Sequence, residues 1–155
     1  PNSKLSPKNV GELLEYLVKE YTVIIVKGNH DVMLAPILKK FKEKVTLMNF
    51  FQIDDILIAH GDKLLPNPAK VMIIGHEHPA VSFKEKPGEK YKCFLKGTWK
   101  GHVLIVMPSF NMLNAGTDIT KERVLSPYLR DDLGNFQVYV VEDKVYNFGK
   151  LKEIE

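Results

Sequence analysis

The sequence predicts an α/β fold in which sheets pack together and helices lie outside. Three observations predict it. A stretch with helical periodicity opens the chain, continuously apolar β-branched runs of the kind carried by buried parallel strands follow, and most of the remainder reads as further strands.

Taken in order, Ser6-Pro7 opens a helix, with proline in a first turn where its missing N–H has no intrahelical partner to lose. Val10, Leu13, Leu14, Leu17 and Tyr21 recur at helical spacing. Thr22 to Lys27 reads as a strand, because Val23-Ile24-Ile25-Val26 is apolar on both faces, and Gly28 ends it. A short helix is expected over Leu34 to Lys42, with Pro36 in its first turn. Val45 to Ile53 and Ile56 to Ala59 read as two strands joined by an Asp54-Asp55 turn, and Val71 to Ile74 as another buried strand. Later strands are expected at Tyr91 to Leu95, His102 to Met107 and Gln137 to Val141. The last of these pairs through a Glu142-Asp143-Lys144 turn with Val145 to Phe148. Pro108 to Arg130 lacks periodicity and reads as a long loop with short helical pieces, a length that is often functional. No repeat and no composition shift divides the chain, so residues 1–155 read as a single domain.

Charge and cysteine content narrow the function classes. The 22 basic and 19 acidic residues leave a net charge of +3, with no basic block, so charge does not argue for a nucleic-acid partner. The longest apolar runs are about six residues, far below the ~20 of a membrane helix, and no secretory signal is seen. The single cysteine, Cys93, cannot form an internal disulfide, which fits a reducing, cytoplasmic setting. Pro1 in place of methionine points to a native start that lies elsewhere.

Three short motifs each follow a predicted strand directly: Gly28-Asn29-His30-Asp31, His60-Gly61-Asp62 and Gly75-His76-Glu77-His78. Ligand sites of open α/β sheets form beyond the carboxyl ends of strands, so strands sharing a sheet and direction would bring the three together. Four of the five histidines fall in these motifs, all but His102. Imidazole nitrogens with amide or carboxylate oxygens suit Zn, Fe or Mn. His76 and His78, two apart, would share a face on an extended strand, but on a turn they can address two neighbouring ions. Each motif alone has a bland explanation. A lone histidine at a strand end is usually solvated or capping, and a lone Asn-His-Asp is usually a turn. The ordered set, each member after an apolar strand, makes scatter a poor explanation.

These motifs resemble the last three signature elements of the calcineurin-like metallophosphoesterases: G-N-H-[DE], a lone histidine often followed by glycine, and G-H-x-H. The tail is similar to a narrower group, the DNA ligase-associated metallophosphoesterases and their archaeal relatives. The residues behind that are Gly75 to Ala80, Cys93-Phe94-Leu95 with Gly97 and Trp99, Pro108 to Asn111, Gly116-Thr117-Asp118 and Val145 to Gly149. The resemblance implies a four-layer αββα sandwich and metal-dependent hydrolysis of phosphate esters, most of all phosphodiesters. It implies two divalent ions, with Mn2+ first and Fe, Zn or Ni as alternatives. Asn29, His60 and His76 would bind one ion and His78 the other. His30 would face the scissile phosphate and protonate the leaving group. Asp31 would either orient a histidine or cap the following helix. Paired cations would activate a water and neutralise phosphate charge. Small phosphoesters or nucleotides are the implied substrates. A nuclease is the nearest alternative, though charge does not support it. A non-catalytic scaffold is the rival from another class, and His30 counts against it.

The family's first two elements, D-x-H and G-D-x-x-D, do not precede Gly28. The chain is therefore expected to be the C-terminal part of the fold. Val23 to Val26 would carry an open apolar edge, to be completed by the N-terminal half or by another chain. Among other residues, the Asn111 to Asp118 loop, with Asn111, Thr117 and Asp118, is a candidate substrate loop, with a structural Ω-loop as the equal alternative. Trp99, flanked by Lys96 and Lys100, is expected in the core or at its rim rather than as a stacking platform. Cys93 and His102 are expected to serve structure, and Lys63 and Lys70 to be solvated or to attract phosphate.

Overall fold

The computed structural model describes residues 7–29, 31, 34–41 and 43–154. Ser6, His30 and Lys42, which carried expectations about a helix start, a catalytic role and a helix end, lie outside the described residues.

Helix α1 spans Pro7–Leu17. It buries Leu14 with Val10, whereas Leu13, Tyr16 and Tyr21 are exposed, so the inward stripe is narrower than periodicity alone implied. Strand β1 (Val23–Val26) pairs in parallel with β2 (Val45–Met48), from Val23↔Val45 to Val26↔Met48. Helix α2 (Leu34–Leu38), prolonged by a single 3-10 turn at Lys39–Phe41, joins α1 over one face of this ribbon. Leu14, Leu38 and Val45 form that small core, with Val23, Ile25 and Ile37 packed on it. The opposite face is open: Ile24 is 40% and Met48 39% exposed. The expectation of a strand buried on both faces is thus corrected for β1. Among the described residues β1 pairs only with β2. Its Val23 and Lys27 N–H groups donate to the carbonyls of Lys44 and Met48, so Ile24 and Val26 turn their backbone groups to the free edge.

The run from Val45 to Ile53 is two strands rather than one. Asn49 separates β2 from β3 (Phe50–Ile53), and β3 enters a different, larger sheet. There it forms a hairpin with β4 (Ile56–Ala59) through Asp54-Asp55, as the sequence predicts. Strand β5 (Val71–Ile74) runs parallel to β4, and β8 (His102–Val106) parallel to β5. Strand β7 (Tyr91–Trp99) returns antiparallel beside β8, reached through a turn at Lys100 and Gly101. Both turn residues have positive φ, 47° and 85°, as a two-residue hairpin requires. Strands β10 (Gln137–Val141) and β11 (Val145–Lys150) complete the order β11-β10-β7-β8-β5-β4-β3. Two short strands escaped the sequence reading. They are β6 (Pro79–Val81), beside β7, and β9 (Thr117–Asp118), parallel to β6 inside the supposed long loop.

One face of the large sheet carries the main core. Leu57, Met72, Ile74, Leu104, Val106, Leu95 and Val138 lie against Trp99, Tyr128, Leu129 and Phe136. Trp99 is in this core, edge-on to Tyr128 with ring centroids 4.7 Å apart, and the Lys100 ammonium lies over its ring, 5.1 Å from the centroid. Cys93 is buried, and His102 Nδ1–H donates to the Ala69 carbonyl at 2.8 Å, both structural roles as expected. Gly97 is required by its neighbour: a Cβ there would lie 2.4 Å from Cγ of the buried Phe136 ring. Gly97→Ala is expected to cost about 1–3 kcal/mol by overpacking, read as a lower urea midpoint with an unchanged slope.

Candidate metal centre

Strands β4 and β5 end side by side, with Ala59 opposite Ile74, so His60 and Gly75 leave the sheet together. The Gly75 N–H donates to the His60 carbonyl at 3.0 Å and ties the second and third motifs at the backbone. The first motif arrives from the other sheet, after β1. The three motifs therefore do not share one sheet as supposed, yet the side chains of Asn29, His60 and His76 still meet. His60 Nε2 lies 2.9 Å from Asn29 Oδ1 and 3.1 Å from His76 Nδ1, and the two rings stand edge to face at 4.8 Å. Gly28 makes room for this meeting: a Cβ would sit 3.0 Å from both His60 Cε1 and Asp31 Oδ2.

The chemistry of this cluster suits a cation. His60 Nε2 carries at most one hydrogen, so in either tautomer one of its two contacts is weakened. Three lone-pair donors around one point are satisfied together by a positive ion. Two ligands each about 2.1 Å from a common ion, at right angles, stand about 3.0 Å apart, which matches both separations. His78 takes a different place. Its Nδ1 faces Asn114 Nδ2 at 2.8 Å. Among the described residues, no three His, Cys, Asp or Glu side chains are grouped to hold an ion. The focus consists of two imidazoles and one carboxamide.

The third motif is wound as a turn, not an extended strand. His76 and His78 both have positive φ, 62° and 53°. Such a conformation costs on the order of 1–3 kcal/mol per residue and persists only when the surroundings fix it. Glu77, between them, does part of the fixing. It is fully buried, and its Oε2 accepts the Leu125 and Ser126 N–H groups, each at 2.7 Å. Its Oε1 has no hydrogen-bond partner among the described residues. The Ser126 hydroxyl donates in turn to the Gly61 carbonyl at 2.7 Å, so residues 125–126 bolt the third motif to the second. On the other side the His78 carbonyl accepts Thr117 N–H at 2.9 Å. A Cβ on Gly116 would strike that same carbonyl at 2.4 Å.

The remaining candidates separate by environment. The Asp31 carboxylate accepts the Gly28 N–H at 2.7 Å, which places it in the turn of the first motif. Asp118 faces inward, accepting the Ser82 and Thr120 hydroxyls at 2.6 Å each, and Thr117 is held in β9. Asn111 is exposed and accepts the Leu113 N–H. The loop residue whose side chain touches a motif histidine is Asn114, inside the Asn111 to Asp118 loop but not singled out by the sequence reading. Its Asx turn onto the Gly116 N–H, at 2.9 Å, is the local signal. Lys63 lines a 550 Å3 cavity with Lys27, Asn29, Phe50 and His60, open space beside the donors. Lys70 instead pairs loosely with Asp55 at the surface.

Burial first, and then the neighbouring His76 charge, lowers the pKa of both His60 and His78 below the ordinary 6.5. The unfolded chain then binds more protons than the folded one below that value. Stability of the metal-free protein is therefore lost as pH falls through the ordinary histidine range near 6.5 and below, and regained as it rises. Thermal melts in chelator check this. A His60→Asn, His78→Asn double variant is expected to flatten the slope across that window, and an unchanged slope contradicts the assignment.

No protein-family model matches the chain, and no curated protein matches it. Among solved structures it is similar to the crystal structure of Pseudomonas putida nuclease MPE, with a TM-score of 0.62 and 15% sequence identity. The match covers 92% of this chain and 62% of that one, so the chain spans less than two thirds of its structural neighbour. The likeness is one of fold, which in this chain is of α/β type with a large mixed sheet. Among the described residues no helix is long and apolar enough to cross a membrane.

Proposed function

We propose that this chain carries part of the active centre of a metal-dependent phosphoesterase, with phosphodiesters as its main substrates and a four-layer αββα sandwich as its complete fold. The observation that carries the reading is the meeting of Asn29, His60 and His76 around His60 Nε2, at 2.9 and 3.1 Å. These three would hold one divalent ion, Mn2+ being the first to test and Fe, Zn or Ni the alternatives. His78, positioned by Asn114, would serve a second. When bound, such ions supply positive charge to a phosphate and activate water near neutral pH. The protein's part is to favour neutral His60 and His78 through burial, and to aim the His76 and His78 side chains through Glu77 and the two strained histidine backbones. His30 would act on the leaving group. Two imidazoles and an amide are too few donors for tight binding, so further ligands are proposed from a segment that also pairs with the free edge of β1.

The fold shared with a nuclease favours one refinement, in which the phosphodiester belongs to a nucleic acid. The test uses the full-length protein with Mn2+ and bis-p-nitrophenyl phosphate, alongside a His30→Ala variant. Metal-dependent turnover that the variant loses is the expected result. Absence of turnover of any phosphomonoester or diester, with every divalent ion tried, would return the non-catalytic scaffold as the better reading.

A further inference from the structure

The cavity beside the candidate metal centre also holds an aromatic ring with no structural duty. Asn29 and His60 line its 550 Å3, and so does Phe50. Phe50 opens β3, just after the break at Asn49, and its register partner is Ala59, the residue before His60. Its side chain is 45% exposed and belongs to neither hydrophobic core. Among the described residues its ring meets no other aromatic ring. A large apolar ring at the wall of a mostly polar cavity is placed to contact a ligand rather than to hold the fold. Lys27 and Lys63 line the same space, and among the described residues neither is in an ion pair. Asp62 is the one carboxylate of the lining, so two ammoniums face one negative charge and the space favours an anion before any metal ion enters.

We propose that Phe50 is a specificity-determining residue: its ring receives the organic arm of a phosphoester whose phosphate lies at Asn29 and His60, and so selects flat aromatic arms over short alkyl ones. The inference rests on the phosphoesterase reading above and adds to it the residue that reads the esterified group. The two kinds of side chain divide the task by their chemistry. A lysine ammonium is a point charge that attracts a phosphate whatever is attached to it, whereas a ring face gains both contact area and favourable electrostatics from a flat partner.

Phenylphosphonate and methylphosphonate test this, because they carry the same anionic head, differ only in the arm and have no ester bond to cleave. Their binding to the full-length protein with Mn2+ is measured by calorimetry. The wild type is expected to prefer phenylphosphonate by about tenfold. Phe50→Ala should reduce that preference to about twofold or less, and so should Phe50→Leu, which keeps apolar bulk without a flat ring. Phe50→Tyr should retain it. Lys63→Ala should weaken both ligands by a similar factor and leave their ratio unchanged. A merely structural role for Phe50 would lower both affinities together, so the ratio separates the two roles. A preference that survives in Phe50→Ala, equal affinity of the wild type for the two ligands, binding of neither, or a ratio that Lys63→Ala shifts as far as Phe50→Ala does would each overturn the assignment. Turnover of bis-p-nitrophenyl phosphate is scored separately. Its absence in the wild type sinks the phosphoesterase reading, while the ratio of the two phosphonates still judges Phe50.

Discussion

Replacing His60 by alanine is expected to abolish metal-dependent hydrolysis, lowering kcat/KM by on the order of 10³ or more, equivalent to about 4 kcal/mol of transition-state stabilisation. The reason lies in its place. His60 Nε2 is the atom that Asn29 and His76 both approach, at 2.9 and 3.1 Å, so its loss removes the centre of the donor set rather than one edge. The remaining Asn29 and His76 would no longer share a neighbour. Affinity for Mn2+, measured by calorimetry, should fall in step with the rate. The fold should survive, because His60 is only partly buried and the backbone bond from Gly75 to its carbonyl needs no side chain. A variant retaining more than about a tenth of the activity would mean that the three side chains meet only as a hydrogen-bonded cluster.

The second large effect is structural. Gly61→Ala is expected to destabilise the protein by roughly 2–4 kcal/mol, because two costs add at one residue. Gly61 has φ of 99°, which an L side chain rarely adopts, and a Cβ would lie 2.9 Å from Cβ of the fully buried Ile74. The backbone cannot relax freely, since the Gly61 carbonyl accepts the Ser126 hydroxyl and His60 precedes it. Urea unfolding measures the loss, and metal affinity should fall with it as the His60 and His76 turns are pushed apart. A loss below about 0.5 kcal/mol would show that the loop after β4 is far more compliant than its contacts imply.

The motifs were legible because each lies just past a strand with a strong apolar signature, and β4, β5 and β10 fall where their sequences put them. The break at Asn49 was not legible. Both sides of it are apolar strand formers, and the division comes from pairing with different sheets, one through Val45↔Val23 and the other through Phe50↔Ala59. Long-range pairing of this kind leaves no local trace. Strands β6 and β9 are only three and two residues long and are defined by their pairing with each other and with β7, so they read as loop. Glu77 was passed over as the variable position of a His-x-His pattern. Its burial becomes visible only when Leu125 and Ser126, 48 and 49 residues later, turn their N–H groups toward it. The open face of the β1–β2 ribbon, with Ile24 and Met48 exposed, is where local pattern and tertiary outcome diverge most.

Anomalous scattering at the manganese edge, from crystals of the full-length protein grown with Mn2+, tests the central claim directly. A peak about 2.0–2.3 Å from Asn29 Oδ1, His60 Nε2 and His76 Nδ1 together is the result these side chains predict. A map with no peak there, or with manganese elsewhere while the three side chains keep their mutual contacts, would contradict it.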